Sequence, residues 1–300
     1  MSTSILIKGT DSIYSRQSEI EHSDLLLPRG DGYAALVAVG DGQKNSIIKL
    51  VQRSPLRILF PVVEGVHASE AVLINTGGGT TGGDQVEYRI DLLPGSSLAV
   101  TTQAAEKIYK AISVPARVTT KLEVKGGARL AWLPQETIVF NRARLRRAIA
   151  LNVIDDAEVL VGEMLVLGRK ARKERLDFLD VQDSWRVSRE GRLIWADTFR
   201  VTGGVTENLQ MAALLGDFSA LGTFVYVGPS MDLMYSNLRG RSSECPNSVV
   251  GVTSVNGVLL VRILAKDSSI LRHEAKSIIE AFQASLGQGP FKVPKMWNCS

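Results

Sequence analysis

The chain has 300 residues, 45% of them hydrophobic and 22% charged, enough apolar residues to bury a core and too balanced for a disordered or membrane protein. No apolar run approaches the roughly 20 residues of a spanning helix. The net charge of +4 is concentrated in RARLRR (142–147) and RKARKER (169–175), which lack interleaved aromatics and read as solvated or docking faces, not nucleic-acid contacts.

In chain order, the polar start MSTSILIKGTDSIYSRQSEIEHSD has no signal-peptide pattern, so residues 1–28 are expected to be a flexible lead-in to a cytoplasmic protein. Residues 29–300 then read as a single β-rich domain, with no linker or repeat dividing them. Up to about residue 202 the apolar period is two. GYAALVAV (32–39), QVEYRIDLL (85–93), SLAVTTQ (97–103), ARVTTKLEVK (116–125), ARLAWL (128–133), RAIALNVI (147–154), EVLVGEMLVLG (158–168) and RLIWADTFRV (192–201) are strand candidates. Short strands separated by Gly, Pro and Asp predict a mainly β fold, a layered sandwich or β-helix-like body. Helix patterns come late, at TENLQMAALLG (206–216), within 230–240, and at SSILRHEAKSIIEAFQASLG (268–287). The last has Ser268 or Ser269 as its N-cap and stops at Gly287. Strands SVVGVTSV and GVLLVRIL precede it, so these helices are expected to pack on the sheets.

The stretch TGGGTTGGD (76–84) raises the question of phosphate binding. A Walker loop needs Lys and Ser/Thr after its last glycine, but Asp84 stands there. A dinucleotide fingerprint needs a following helix, whereas Val86, Tyr88, Ile90 and Leu92 alternate as a strand. The loop is therefore a connection between AVLIN and QVEYRIDLL, its glycines supplying unusual backbone angles or close approach.

Two carboxylates interrupt apolar strand faces. Glu163 shares a face with Val159, Val161, Leu165 and Leu167, and Asp197 shares one with Leu193, Trp195, Phe199 and Val201. A buried carboxylate must be paired, hydrogen-bonded, neutralised or wetted. Either these acids sit in an internally satisfied network or on a wet face, or they mark a polar path to which Asp84 and Glu106 contribute. Of the histidines only His67 has company, Glu64 and Glu70, which is either a transient metal site or an ordinary surface loop. Cys245 and Cys299 are far apart with no CxxC, which argues against a disulfide framework and a zinc site. No Ser/His/Asp or Cys/His arrangement emerges.

Several stretches together resemble one family, the urease accessory protein UreD, also called UreH. GGGTTGGD (77–84) is similar to its PGG-x-x-GGD segment through Gly82, Gly83 and Asp84. TTQAAEKIYK (101–110) is similar to its TTP-G-A-x-K-x-Y-R-S segment through Lys107 and Tyr109. WLPQETIVF (132–140) carries Pro134 and Gln135, GEMLVLGRKA (162–171) carries Gly168 and Arg169, and VPKMWNCS (293–300) resembles the closing VPR-x-W. Order and spacing hold from about residue 29 to the C-terminus. Gln103 and Ala104 replace the Pro-Gly pair, Glu106 stands where many members have a small residue, and ARKE (171–174) lacks the usual Gly.

The resemblance implies a non-catalytic scaffold without a tightly bound cofactor. It implies binding to urease apoprotein and to UreF, which engages the GTPase UreG, in a cytoplasmic heteromeric complex with two copies of each accessory chain. It implies nickel insertion into urease, with transient Ni2+ passing along Asp84, Glu106, Glu163 and Asp197. No nucleic acid or membrane is implied. From the residues alone a second reading stays open, a carboxylate-pair hydrolase on a β-sandwich with Glu163 and Asp197 as acid and base.

Overall fold

A computed structural model describes residues 29–42, 44–61, 70–169, 172, 174–204, 215–287 and 289–298. The helix expected at 206–216 lies outside the described residues except for its last two positions, Leu215 and Gly216, which are in a turn.

The first strands among the described residues are β1 (Asp31–Gly40), β2 (Asn45–Arg53), β3 (Leu56–Leu59) and β4 (Glu70–Asn75). The chain then runs through β5 (Gln85–Leu92), β6 (Ser97–Thr102), β7 (Glu106–Ile108), β8 (Ala116–Val124), β9 (Arg129–Trp132), β10 (Thr137–Val139), β11 (Arg144–Val153), β12 (Glu158–Leu167), β13 (Phe178–Arg189) and β14 (Arg192–Gly204). After β15 (Ala220–Val227) come α1 (Met231–Arg239), β16 (Ser243–Cys245), β17 (Ser248–Val255), β18 (Val258–Ala265) and α2 (Ser268–Leu286).

These strands form two sheets, one ordered β14-β13-β11-β8-β5-β1-β2 and the other β16-β17-β18-β15-β12-β9-β6-β4-β3, with β7 and β10 branching from the second. From β4 to β13 the chain alternates between the sheets. β5, β8, β11 and β13 are successive parallel neighbours in the first sheet, and β4, β6, β9 and β12 in the second. This is β-solenoid-like stacking, as the alternation in the sequence predicts. Antiparallel pairings flank it: β2 on β1 and β14 on β13 in the first sheet, β3 on β4 and β15 on β12 in the second.

Residues at every second position point between the sheets. Leu98, Leu130 and Val161 from one sheet meet Ile90, Leu122 and Ile149 from the other in the largest apolar cluster. A separate inter-sheet cluster holds Ile108, Leu145, Leu165, Leu179 and Val181. A third covers the outer face of the second sheet, where Leu160, Met164, Phe224 and Val261 pack under Met234 and Leu238 of α1 and Leu271, Ile278 and Phe282 of α2. All ten residues of β12 are buried because both of its faces are covered. The helices therefore use their apolar faces for the core. The N-cap of α2 is Asp267 rather than Ser268 or Ser269, since its side chain accepts a hydrogen bond from the Ile270 N–H at 3.0 Å.

Candidate functional site

Strands β11, β12 and β13 each carry one charged residue at an inward position: Arg147 between Leu145 and Ile149, Glu163 between Val161 and Leu165, Asp183 between Val181 and Trp185. Arg147 and Asp183 are in register on adjacent parallel strands, and Glu163 faces them from the other sheet. Their relative exposures are 5, 7 and 5% for Arg147, Asp183 and Glu163, so the group lies inside the sandwich. Each flanking residue belongs to one of the two inter-sheet apolar clusters. The charged level is thus the boundary between them.

Arg147 donates from Nε to Asp183 Oδ1 at 2.8 Å and from Nη2 to Asp183 Oδ2 at 2.7 Å, a two-pronged pairing. Its Nη1 donates to Glu163 Oε2 at 2.7 Å and to Thr137 Oγ1 at 3.2 Å. Trp132 Nε1 donates to the remaining oxygen, Glu163 Oε1, at 2.8 Å. Burial pushes the Glu163 carboxyl above its usual range, against the pull of Arg147 and the Trp132 hydrogen bond. Burial also works against the Arg147 charge, but Asp183 and Glu163 outweigh it and hold the guanidinium above its ordinary value. Two acids share one base, so a fully ionised group carries one net negative charge inside the protein.

A second acid lies beside the glycine-rich loop. Glu106 accepts from Thr80 Oγ1 at 2.6 Å and from Asn75 Nδ2 at 3.1 and 3.3 Å. Burial raises its pKa, opposed by those two donors. Asp84 closes the loop, with Oδ1 accepting from Gly30 N–H at 2.7 Å and Oδ2 from Thr81 N–H at 2.8 Å. Both its oxygens are occupied in holding the backbone. Tyr88 is buried near both acids: its ring centroid is 6.0 Å from that of Trp132, and burial, with Glu106 and Glu163 adding, raises its phenol pKa.

Asp197 occupies the open edge of the same layer. It faces Arg262 of β18, with 2.7 Å between Arg262 Nη2 and Asp197 Oδ2, and its side chain is 34% exposed. Register links this edge to the interior, because Glu163 pairs with Thr223 and Thr223 with Arg262. The expected face of four apolar neighbours is only partly present. A register shift between Val187 and Ser188 turns Leu193 outward to 44% exposure, leaving Trp195, Phe199 and Val201 half-buried beside Asp197. Asp197 is therefore an edge ion pair and not a buried carboxylate.

The remaining motif residues hold loops together. Lys107 is exposed, but its carbonyl accepts from Thr80 N–H at 2.8 Å. Tyr109 donates to the Gly78 carbonyl at 3.1 Å and packs edge-on to Phe140 at 5.2 Å. Arg169 stacks on Phe140 at 4.1 Å and pairs with Glu174, whose pKa it lowers. Gly82 sits so close to the segment after β7 that a Cβ would lie 2.5 Å from both Ala111 Cβ and the Val114 carbonyl. Gly83 and Gly168 have φ of +85° and +77°. Pro134 and Gln135 are buried, and the Gln135 amide donates to the Gln103 carbonyl at 2.8 Å while its oxygen receives Arg272 at 3.3 Å.

Among the described residues no three His, Cys, Asp or Glu side chains gather closely enough to hold an ion. Glu64 and His67 lie outside the described residues, while Glu70 is buried near Lys292 and Lys295. Glu163 has both oxygens bound in the interior and Asp197 is in an ion pair at the edge, so the two acids share no hydrogen-bond partner. Arg147 and Asp183 are the residues the sequence reading missed. The signal that exposed Glu163, a charge at an inward position of an alternating strand, is present in both RLRRAIALNV and FLDVQDSWRV.

The chain matches the family described as UreD urease accessory protein over residues 30–298. It is 36% identical over 275 residues to a urease accessory protein UreD of Methylobacterium sp. (strain 4-46), covering 90% of this chain and 95% of that protein. With the protein of the same name from Rhizobium leguminosarum bv. viciae it shares 39% over 271 residues, 90 and 96% of the two chains. With that of Magnetococcus marinus it shares 35% over 259 residues, 85 and 89%. On this similarity, which extends over nearly the whole described chain, the protein belongs to the UreD family of urease accessory proteins.

Proposed function

We propose that this chain is a cytoplasmic maturation scaffold, without catalytic activity of its own, that binds urease apoprotein and UreF, and UreG through UreF, and supports nickel delivery into urease. The observation that carries the reading is the charged level inside the sandwich, where Glu163 and Asp183 share Arg147 between two apolar clusters. A β-sandwich that needed only stability would be served as well by apolar residues there, because buried ion pairs seldom outperform a packed apolar isostere.

In this reading nickel is cargo and the acids are stepping points. In this order the ion would pass from Glu106 and Asp84 beside the glycine-rich loop to Glu163 and Asp183 of the charged level and on to Asp197 of β14. Isolated carboxylates suit transfer better than a His/Cys cage, whose firmer ligation would retain the ion. Arg147 fills the central step. A divalent ion reaches Glu163 only as the guanidinium gives up that carboxylate, so the ion pair holds the path closed until cargo arrives.

The test is the nickel content and activity of urease produced with its full accessory set, with and without this chain. Omission is expected to leave assembled but nickel-poor urease. Glu163→Gln and Asp197→Ala variants are expected to stay in the complex and lower nickel loading. Full loading without the chain would remove the maturation role; full loading by both variants would return the acids to a structural role.

A further inference from the structure

A cleft of about 640 Å³ opens where the segment after β7 meets the starts of β11 and β13. Lys110, Ile112, Arg142, Arg144, Asp177 and Phe178 line it. Three cations face one acid. Volumes of this order are typical of specific ligand sites.

One of the cations, Arg144, is fixed yet incompletely satisfied. Arg144 lies over the Phe178 ring at 5.0 Å, a stacking that fixes the plane of its guanidinium, and its Nη1 reaches Asp180 at 3.3 Å. Its Nε is buried without a hydrogen-bond partner. A buried donor left unmatched is unfavourable, so the fold does not fully satisfy this guanidinium. Arg142 projects from a left-handed backbone position, φ +61°, and stands 3.9 Å from Asp177, as does Arg175. Asp177 thus joins the two basic stretches, 142–147 and 169–175, which are separate in the sequence.

Apolar side chains in and next to the lining are exposed as well. Ile112 is 61% exposed and Val114 39%. Exposed aliphatics beside a cationic cleft are matched by a protein surface better than by a free small anion, which would leave them in water. The cleft also adjoins the family-motif residues. Asn141 donates from its side-chain amide to Asp177 at 3.1 Å and from its backbone N–H to Glu174 at 3.4 Å, and Glu174 in turn pairs with Arg169.

We propose that this cleft is a docking site for an acidic segment of a protein partner, a Glu or Asp side chain seated between Arg142, Arg144 and Lys110 with a neighbouring aliphatic residue on Ile112. It rests on the reading of this chain as a scaffold and is independent of any passage of nickel.

The probe is a fluorescent synthetic peptide with two glutamates flanking a leucine, titrated into the full chain and followed by anisotropy. The wild type is expected to bind it more weakly as salt rises. Arg142→Glu, an exposed change that leaves the fold alone, is expected to weaken binding about tenfold or more. Ile112→Asp should weaken it also, and Arg89→Glu, on the outer face of the first sheet, should not. No binding, equal binding of the peptide with glutamine in place of glutamate, or unchanged affinity in Arg142→Glu would overturn the proposal. Displacement of the peptide by millimolar inorganic phosphate would also overturn it, by assigning the cleft to a free anion. Because urease is absent from this assay, its failure leaves the maturation reading standing.

Discussion

Replacing Arg147 by Met removes the base that two buried acids share. The methionine chain fills part of the space, but Glu163 and Asp183 keep their carboxylates inside the layer, with Trp132 and Trp185 as the neighbouring donors. Breaking a buried pair by deleting one partner costs about 3–5 kcal/mol, and here one deletion strands two partners. For a chain of this size that lowers the thermal midpoint by roughly 2 °C per kcal/mol, so on the order of 6–10 °C. The loss depends on pH. Glu163 already has a folded-state pKa above its unfolded value, and removing Arg147 raises it further. Stability from its protonation is fully present below the unfolded carboxylate value and is lost as pH rises through the folded value. The variant's deficit is therefore largest at neutral pH and shrinks in mild acid. Thermal denaturation of both proteins at pH 5 and pH 8 checks this. A deficit below about 1 kcal/mol that is equal at the two pH values would refute the buried, mutually dependent triad.

Three further outcomes follow from local geometry. Gly82→Ala must push Ala111 and the Val114 carbonyl aside, so it should lower stability by about 1–3 kcal/mol in chemical denaturation. Trp297→Ala empties a site that is 2% exposed and frees the Leu133 carbonyl, for a loss of about 3–5 kcal/mol by the same assay. Asp267→Ala removes the N-cap of α2 and should cost about 0.5–2 kcal/mol, with Asp267→Ser restoring most of it; an equal loss in both would deny the capping role.

The alternation of apolar residues was enough to read the layered β body, because β5, β8 and β11 each present one face to the opposite sheet and one to solvent. The same pattern hides pairing. Nothing in QVEYRIDL says that its neighbour is a strand about 30 positions later rather than the next one, since parallel partners meet only through the other sheet. Glu106–Ile108 and Thr137–Val139 are too brief for a period to register, and the long strands Asn45–Arg53 and Phe178–Arg189 are likewise absent from the strand candidates because polar residues interrupt their apolar period. Glu163 was legible as an intruder on an apolar face. Its partner is hidden in a cluster that reads as surface charge, because in RARLRR the inward positions are Ala143, Leu145 and Arg147, and only the last of the four arginines is among them. Asp197 misled for a related reason, because a one-residue bulge shifts which side chains share its face and no composition signal marks it.

A stack of parallel rungs has no natural end: each exposed rung is a template on which an identical one can settle, and unchecked it becomes a fibre. This chain finishes its stack in the first sheet by reversing direction, with β2 outside β1 and β14 outside β13. The outermost strands run against the rungs they cover and carry exposed Lys49 and Arg53 on one flank and Arg192 and Arg200 on the other. Those charges disfavour a second copy settling on either flank, although Ile48, Leu50 and Val51 of β2 are exposed beside them. The solenoid-like stack is thus closed in the first sheet by strands of opposite direction, so its parallel rungs are not themselves the exposed edges of that sheet.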